Sequence, residues 1–331
     1  MVDPFSGAKR PAGVDRRRGR HLFGRDPERY DRSRPEYPSA LFRRLETRCG
    51  LRPGCAVFEI GAGTGKASRE LLRRGANPLW IVEPDRRMVR FLRRSLAPWR
   101  DRVRFVVAPF EAARLPAGRF DLGVAATSFH WTRERAALAK VARLVRPGGW
   151  WAVWWSLSGD PTRPSRLSAA LDPLFDRLPS TTPNEPPRRL AYYRGRRRRL
   201  TQLARAGPFD RVRVDTYRWV RRRTTAELLD LYRTFSNLST LSPRVQARFY
   251  AEVARVVNGR FRGRANLPVI VTMYTARRGP VRGRPAATTR RRARRASPTR
   301  GVRRRPARRR PAGGPRRTAL ARSTPPSRGS S

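Results

Sequence analysis

The amino-acid sequence predicts an α/β fold, a mostly parallel sheet with helices on both faces and a small helical lid. Three observations predict it. An apolar run at 56–60 breaks into a glycine-rich turn, and a helical pattern follows directly. A second apolar run, 79–83, comes after that helix. Short apolar runs then continue to alternate with helical patterns as far as residue 155, which is typical of a parallel sheet.

The glycine-rich turn lies within residues 56–66, AVFEIGAGTGK, and has glycines at three alternate positions, Gly61, Gly63 and Gly65. A buried strand that turns through glycines into a helix places backbone N–H groups and the positive helix end against a ligand. Glycine suits these positions because a Cβ would block close approach, and because we expect some of them to have positive φ. The turn therefore predicts a ligand-binding loop.

One of three nucleotide-type patterns fits this loop. The phosphate-loop pattern G-x-x-x-x-G-K-(S/T) fails because Ile60 stands at its first glycine and Ala67 at its hydroxyl position. The dinucleotide pattern G-x-G-x-x-G fails at Lys66, the position of the third glycine. The pattern that fits is (D/E)-x-G-x-G-x-G, from Glu59 to Gly65. The alternative is a plain glycine-rich turn with no ligand.

A second acidic residue follows at a meaningful distance. The strand predicted at 79–83 ends in Glu83, 22 residues after Gly61. In related dinucleotide-binding folds, an acidic residue about 20 positions after the glycines accepts the ribose hydroxyls. We therefore assign that role to Glu83, with a surface glutamate at a strand end as the alternative.

These motifs and their surroundings resemble class I S-adenosylmethionine-dependent methyltransferases, in particular the small-molecule branch that is similar to trans-aconitate methyltransferase (methyltransferase type 11). The matching segments are FGRDPERYDRSRPEYP (23–38), VFEIGAGTGK (57–66), IVEPDRRMVRFLRR (81–94), VRFVVAPFEAARLPAGRFDLGVAATSFHW (103–131) and VARLVRPGGWWAVWW (141–155). The resemblance covers residues 23–278. It implies a Rossmann-like, seven-stranded, mostly parallel sheet with an antiparallel final strand, and S-adenosylmethionine as the cofactor.

The resemblance also implies a set of cofactor-binding residues, which lie in the loops after the first four strands. They are Glu59, Gly61, Ala62, Gly63, Gly65, Glu83, Pro84, Phe110, Glu111 and Thr127. In the family, residues just past the third strand hold the adenine ring. Phe110 is therefore expected near that ring, with Glu111 or a nearby amide bonded to its amino group. A purely structural role in the core is the alternative for Phe110.

The methyl acceptor is expected beside the loop that follows the fourth strand, because ligands of open α/β sheets bind outside the carboxyl ends of the strands. His130 lies in this loop and is the candidate catalytic residue, since imidazole could take a proton from the acceptor. A role in positioning the acceptor remains open. Trp131 is predicted to form an apolar wall of the site.

An N-terminal segment supplies the other candidate substrate residues, Tyr30, Arg34 and Tyr37. In the family this kind of segment folds over the cofactor and helps close the site. Arginine and tyrosine suit an anionic or planar ligand. The alternative is an N-terminal loop that only packs against the body.

The remaining elements follow from caps and periodicity. Ser39 is predicted to cap a helix that ends at Gly50, Asp85 to cap another, and Thr225 a third. Pro147-Gly148-Gly149 is predicted as a turn before the fifth strand. Further strands are predicted at 103–107, 120–126, 150–155, 211–217 and 268–276, and further helices at 133–145 and 243–257.

Composition limits the class of protein. Apolar runs stay well short of about 18 residues, so no membrane span is predicted, and residues 1–22 contain no hydrophobic signal core. We expect a cytoplasmic protein. Cys49 and Cys55 form neither a disulfide framework nor a metal-ligand set, and we expect no bound metal.

The formal net charge is +53, and the chain has three lysines among 77 basic residues. Arginine excess without lysine indicates genomic codon bias more than selection for phosphate contact, although it predicts nonspecific polyanion contact that weakens with salt. Residues 279–331, rich in arginine and proline, are predicted to be disordered, as are residues 1–22. Between them we expect one domain, 23–278, with a cofactor-binding core at 39–155 and a variable lid and sheet-closing region at 156–278.

The function predicted from these observations is methyl transfer from S-adenosylmethionine to O, N or C of a small-molecule acceptor. Two alternatives remain open. One is a nucleic-acid methyltransferase that uses the basic surface. The other is a nonenzymatic polyanion-binding protein with a vestigial cofactor pocket.

Overall fold

A computed structural model describes residues 21–175, 188–205 and 208–279. The described chain contains one seven-stranded sheet in the order β3-β2-β1-β4-β5-β7-β6. β1 to β5 pair in parallel, while β7 pairs antiparallel with both β5 and β6. The strands are β1 (Val57–Ile60), β2 (Leu79–Val82), β3 (Val103–Val106), β4 (Phe120–Ala126), β5 (Val145–Ser158), β6 (Phe209–Thr224) and β7 (Arg264–Arg278).

Helices cover both faces of this sheet. They are α1 (Pro27–Ser33), α2 (Ser39–Cys49), α3 (Lys66–Arg73), α4 (Arg86–Ser95), α5 (Glu134–Leu144), α6 (Arg166–Phe175), α7 (Arg188–Arg205), α8 (Thr225–Arg233), α9 (Ser236–Ser239) and α10 (Pro243–Phe261). Short 3₁₀ turns occur at Phe23–Arg25, Ala97–Arg102 and Phe129–Trp131. This architecture confirms the predicted α/β class and the antiparallel β7.

The strand order places a candidate binding crevice at the centre of the sheet. β1 lies between β2 and β4, and the direction of winding reverses at this point. Residues Val57–Ile60 are buried on both faces of the sheet, as expected for a central parallel strand. In open α/β sheets the ligand crevice lies outside the carboxyl ends of the strands at such a reversal.

Three apolar clusters hold the helices in place. One cluster joins α2, α3 and α4 to one face of the sheet and includes the buried Phe42 and Trp154. A second joins α5 and α7 to the other face around Phe58 and Trp151. The third packs α6, α8 and α10 together against the start of β7. The predicted helical lid therefore has its own core, which continues into the sheet.

The last three strands are longer than their patterns predict. β6 pairs with β7 from Phe209 opposite Arg278 to Thr224 opposite Arg264. β6 is an edge strand with many arginines, so its residue pattern is not typical of a strand. Its length is set by hydrogen bonds to β7 rather than by the preferences of its own residues. Sequence periodicity therefore misses both ends of the pair.

The Pro-Gly-Gly turn is part of β5 rather than a turn before it. Val145 pairs with Phe120, the next recorded pair is Leu122 with Trp150, and the register shifts between them. Gly148 has a φ of 81°, which a glycine adopts without strain. The predicted turn is thus an irregularity inside a strand that already pairs with β4 on its amino-terminal side.

Two of the predicted helix caps need correction. Ser39 is the first residue of α2 and makes no cap bond, because Pro38 precedes it as N-cap. The cap of α8 is Thr224 rather than Thr225, and it forms a capping box with Glu227. The Asp85 cap is confirmed by its bond from the Arg87 N–H, and Gly50 ends α2 with a φ of 73°.

The predicted disordered segments lie almost wholly outside the described residues, which exclude 1–20 and 280–331. The division at residue 155 between a cofactor-binding core and a lid region stays a prediction. Among the described helices, no helix is both long and apolar enough to cross a membrane.

Candidate cofactor and acceptor site

The three glycines of the loop after β1 have left-handed backbones, with φ of 66°, 59° and 86° for Gly61, Gly63 and Gly65. They differ in what a side chain would meet. A Cβ on Gly61 would lie 2.6 Å from the Ser128 Cβ, and one on Gly65 would lie 2.8 Å from a methyl group of Leu92. A Cβ on Gly63 would have no described atom within 4 Å. Gly61 and Gly65 therefore allow close packing, whereas Gly63 faces open space beside the loop.

Glu83 fastens this loop to the end of β2. Its Oε2 accepts a hydrogen bond from the Gly63 N–H at 3.0 Å, and its Oε1 accepts one from the Asp85 N–H at 3.1 Å. The side chain is buried, and burial raises the pKa of Glu83 to about 7. Each carboxylate oxygen keeps a further lone pair for a hydroxyl donor such as a ribose.

Glu59 is the second buried carboxyl group at the loop. Ser68 Oγ donates to its Oε2 at 2.5 Å, while its Oε1 is buried and has no partner among the described residues. Burial raises the pKa of Glu59 to about 7, and its charge also raises the pKa of Glu83. Two buried carboxyl groups of this kind, one with an unpaired oxygen, suit a cationic ligand with hydroxyl groups. The residues present therefore fit S-adenosylmethionine.

The other two predicted loop residues have supporting positions. Ala62 is half-buried, and its carbonyl accepts a hydrogen bond from the Gly65 N–H at 2.9 Å, which closes the turn. Pro84 is half-buried and lies between the buried side chains of Glu83 and Asp85.

Residues 21–38 form an N-terminal strap that is fastened to α3 by ion pairs. Lys66 Nζ lies 2.5 Å from Glu36 Oε1 and 3.6 Å from Asp31 Oδ1. Arg69 Nη2 lies 3.0 Å from the same Asp31 oxygen, and Arg69 Nη1 donates to the Thr64 carbonyl inside the glycine loop. The strap is thus tied both to the helix that follows the loop and, through Arg69, to the loop itself.

The strap also contacts the start of α4. Arg87 Nη2 donates to the His21 carbonyl at 2.6 Å. A Cβ on Gly24 would lie 2.1 Å from the Asp85 Oδ2, so the strap backbone passes directly over that carboxylate. Glu83, Asp85 and the strap therefore lie at one edge of the sheet.

Phe110 lies in the core. Its ring is buried and stacks on Phe58 with centroids 6.2 Å apart and planes 7° apart. Lys140 lies on α5, and its Nζ is 4.9 Å from the centroid of the Phe110 ring. These contacts explain the position of Phe110 by packing in the core, and its contact with adenine stays a prediction. Glu111 Oε1 accepts from the Arg133 N–H at 2.9 Å, just before α5.

Lys140 is a residue that the sequence patterns miss. Its Nζ donates to the carbonyls of Phe110 at 2.6 Å and Glu111 at 3.3 Å, and also to the Ala113 carbonyl. A compact ammonium with three donors can serve three converging carbonyls, whereas a planar guanidinium cannot. The rarity of lysine, with three in an arginine-rich chain, is the sequence signal that identifies it.

Thr127 and Tyr37 meet at the end of β4. The Tyr37 hydroxyl lies 3.2 Å from Thr127 Oγ1, which also accepts from the Ser156 N–H at 3.2 Å. Thr127 has a φ of 57°, an uncommon backbone conformation for a β-branched residue. Burial raises the pKa of Tyr37 above its ordinary range, so the phenol stays neutral. The structure thus brings a predicted cofactor residue and a predicted substrate residue together.

His130 lies on the 3₁₀ turn after β4. The Trp155 indole N–H donates to His130 Nδ1 at 3.1 Å, and the imidazole centroid lies 4.9 Å from the Trp131 ring. Trp131 is buried and packs against Leu22 and Phe23 of the strap. The predicted wall is therefore covered in part by the strap.

Arg34 and Tyr30 connect the strap to the lid. Arg34 donates through Nε to Thr234 Oγ1 and through Nη2 to the Thr234 carbonyl, both at 2.9 Å. Its guanidinium carbon lies 4.6 Å from the Phe235 centroid and 5.2 Å from the Tyr30 centroid. These contacts explain both residues by packing, and their contact with an acceptor stays a prediction.

Comparison with known proteins agrees with this geometry. Residues 57–149 match the family described as a methyltransferase domain. An uncharacterized methyltransferase of Mycobacterium tuberculosis is 31% identical over 145 residues, which cover 44% of this chain and 54% of the relative. The malonyl-[acyl-carrier protein] O-methyltransferase of Halorhodospira halophila is 34% identical over 154 residues, covering 45% and 50%. The chain spans about half the length of these curated relatives.

A solved structure from Anaeromyxobacter dehalogenans, named as a candidate type II methyltransferase, shares the fold. It covers 75% of this chain and 99% of its own, with a TM-score of 0.54 and 24% identity. The matched residues 57–149 include the glycine loop, Glu83 and the loop after β4. Residues 57–149 of this chain therefore resemble a methyltransferase domain, and the chain shares its fold with a solved structure that is named as a candidate methyltransferase.

Proposed function

We propose that this chain transfers a methyl group from S-adenosylmethionine to O, N or C of a small-molecule acceptor. The observation that carries the proposal is the pair of buried carboxyl groups, Glu59 and Glu83, beside the open space at Gly63. When bound, S-adenosylmethionine supplies an activated methyl group on a sulfonium. The protein then has to orient the acceptor in line with that methyl group and exclude water.

Different residues of the site would bind the cofactor, exclude water and contact the acceptor. Glu83 would accept hydrogen bonds from the ribose hydroxyls, and the unpaired Oε1 of Glu59 would face positive charge in the cofactor. The strap would exclude water, since its ion pairs with Lys66 and Arg69 hold it across the loop. The acceptor would bind beside Thr127 and the 3₁₀ turn that carries His130.

The acceptor class is also part of the proposal. The Halorhodospira halophila relative is named as a malonyl-[acyl-carrier protein] O-methyltransferase, and it is 34% identical over 154 residues. That likeness favours a small acyl acceptor over a nucleic acid. A cytoplasmic location and a metal-free reaction stay predictions.

Calorimetric titration of S-adenosylmethionine and its demethylated product into the full chain tests the cofactor site. Gly63→Arg should reduce affinity by about 100-fold or more, because the new side chain fills the open space that a ligand needs. Gly118→Arg is the matched control. Gly118 has a φ of 65°, close to the 59° of Gly63, and a Cβ there also meets no described atom within 4 Å. Gly118 lies before β4, at the amino-terminal end of the parallel strands, whereas the glycine loop lies at their carboxyl end.

Saturable binding that is lost in Gly63→Arg and kept in Gly118→Arg would support the cofactor site. Screening of small acids, amines and hydroxyl compounds as acceptors would then follow. Failure of the folded parent chain to bind either compound would contradict the proposed function.

Nonspecific polyanion contact is a separate prediction that rests on the net charge of +53. Binding of a random RNA should weaken steeply as salt rises from 50 to 200 mM, a loss of about 10³-fold or more for a protein with several phosphate contacts. RNA that is methylated by the chain would instead favour the nucleic-acid alternative.

A further inference from the structure

Trp155 on β5 links three other elements at the acceptor side of the site. Its indole N–H donates to His130 Nδ1 at 3.1 Å, on the turn after β4. The Arg199 guanidinium carbon of α7 lies 3.8 Å from a ring centroid of Trp155. The Tyr274 ring of β7 meets the indole edge-on with centroids 6.0 Å apart. The indole is therefore held from more than one side while it contacts the imidazole.

Arg199 is itself anchored by its neighbour. Arg198 Nη2 pairs with Glu134 Oε2 of α5 at 3.0 Å, which fixes this part of α7 beside the second core cluster. Arg199 is half-buried, whereas Arg196 and Arg197 are exposed. Among these neighbouring arginines, Arg199 is thus the one that stacks on Trp155.

The bond to Trp155 decides which imidazole nitrogen of His130 carries a proton. An indole nitrogen is a donor and never an acceptor, so Nδ1 must present its lone pair. A neutral imidazole has one N–H group, which then lies on Nε2. In this form Nδ1 is occupied by Trp155, and Nε2 can donate a hydrogen bond but cannot take a proton.

We propose that Trp155 is a positioning residue that holds His130 in the Nε2–H form, so that His130 serves the acceptor as a hydrogen-bond donor and not as a general base. The proposal rests on the proposed function in one respect, that the acceptor binds at His130. It decides between the two roles that the sequence leaves open for this residue. The acceptor that suits such a site has a nucleophilic atom that is already ionised, because no proton then has to be removed.

Nuclear magnetic resonance of the full chain tests the tautomer without any acceptor. His21→Gln leaves His130 as the sole histidine, since the chain contains two. With ¹⁵N-labelled histidine and tryptophan at pH 8, long-range ¹H–¹⁵N correlations report which nitrogen is protonated. We expect the Nε2–H pattern and a scalar coupling across the N–H···N bond to Trp155.

Two tryptophan variants test whether Trp155 determines the tautomer of His130. Trp155→Phe keeps a ring for Arg199 to stack on but lacks the N–H, so the coupling should vanish and the Nδ1–H tautomer should appear. Trp151→Phe is the matched control, because the buried Trp151 indole nitrogen has no partner among the described residues. It should leave the His130 pattern unchanged. A parent spectrum with Nδ1–H, or a spectrum that Trp155→Phe does not alter, would overturn the proposal.

An activity measurement with an identified acceptor tests the role. A glutamine side chain can donate a hydrogen bond near the Nε2 position but cannot take a proton. His130→Gln should therefore keep turnover within about threefold, whereas loss of a general base lowers turnover by about 10²–10⁴-fold. A loss of that size would overturn the donor role. Cofactor titration of His130→Gln and Trp155→Phe separates this failure from a failure of the proposed function, because neither residue belongs to the glycine loop.

Discussion

The cofactor side and the acceptor side of the site are built from different kinds of contact. On the cofactor side, Gly63 and Glu83 bond to each other across 20 residues of chain, within one strand-turn-helix-strand unit. On the acceptor side, the predicted substrate residues make contacts that are distant in sequence, Tyr37 with Thr127 across 90 residues and Arg34 with Thr234 across 200. The first side needs one local unit to form, while the second needs the strap, the sheet and the lid to be assembled together. We therefore expect substitutions on the first side to act on cofactor affinity and those on the second to act on the acceptor.

The largest expected effect tests whether the loop glycines are equivalent. Gly61→Ala should lower the free energy of unfolding by about 3 kcal/mol, because its Cβ would lie 2.6 Å from the Ser128 Cβ in a left-handed backbone. Gly63→Ala should cost about 1 kcal/mol, the backbone cost alone. Urea unfolding of both variants measures the difference. Equal losses would show that packing does not distinguish the two positions.

Removal of one charge tests the carboxylate that fastens the loop. Glu83→Gln should weaken S-adenosylmethionine binding by about 100-fold, since its amide N–H₂ would face the N–H of Gly63 or Asp85 and would accept no ribose hydroxyl there. Calorimetry measures the change. Glu252→Gln, on the exposed face of α10, is the control and should leave affinity unaltered.

Lys140→Arg tests the comparison from the other direction, because Lys140 bonds to the loop after β3 from a helix 27 to 30 residues away in sequence. A guanidinium cannot serve the three carbonyls, so the variant should lose about 1–2 kcal/mol of stability. Thermal unfolding measures this loss. If cofactor affinity falls by the same amount, the cofactor side also depends on a distant residue, and the two sides are less distinct than proposed.

The smallest expected effect is on the pH dependence of binding. Glu59 and Glu83 both have a pKa raised to about 7 by burial, so without ligand they are partly protonated near neutral pH. A cationic ligand with hydroxyl donors favours the ionised forms and lowers both values. Affinity should therefore rise with pH through 7 and reach a plateau above it, with about a tenfold gain for each unit of lowering.

Titrations in buffers of different ionisation enthalpy should show proton release on binding near pH 7. The same raised values mean that the ligand-free chain loses stability as pH rises from about 4.5 to 7, since the folded state binds more protons there. Proton uptake on binding would contradict the assignment of these carboxyl groups to the cofactor.

The lysines show what the sequence reveals and what requires the tertiary structure. Lys66 and Lys140 are the lysines of the described chain, and each holds a position where a compact ammonium bonds to converging oxygens. Their rarity is visible in the sequence. The partners of these lysines are not visible in the sequence. Asp31, Glu36 and the carbonyl of Phe110 lie in other segments, which come close to the lysines only when the chain folds.

The sequence by itself determined the α/β class, the glycine loop and the two carboxyl groups at its edges. These lie within one short unit, where strand burial, glycine geometry and helix capping act between near neighbours in the chain. The tertiary structure alone decided that Phe110 stacks in the core, that Arg34 connects to the lid and that Trp155 occupies His130 Nδ1. It also decided the lengths of β6 and β7, which are 16 and 15 residues long and pair with each other. In each of these cases the partner is distant in sequence, so neither local periodicity nor spacing records the contact that sets the role.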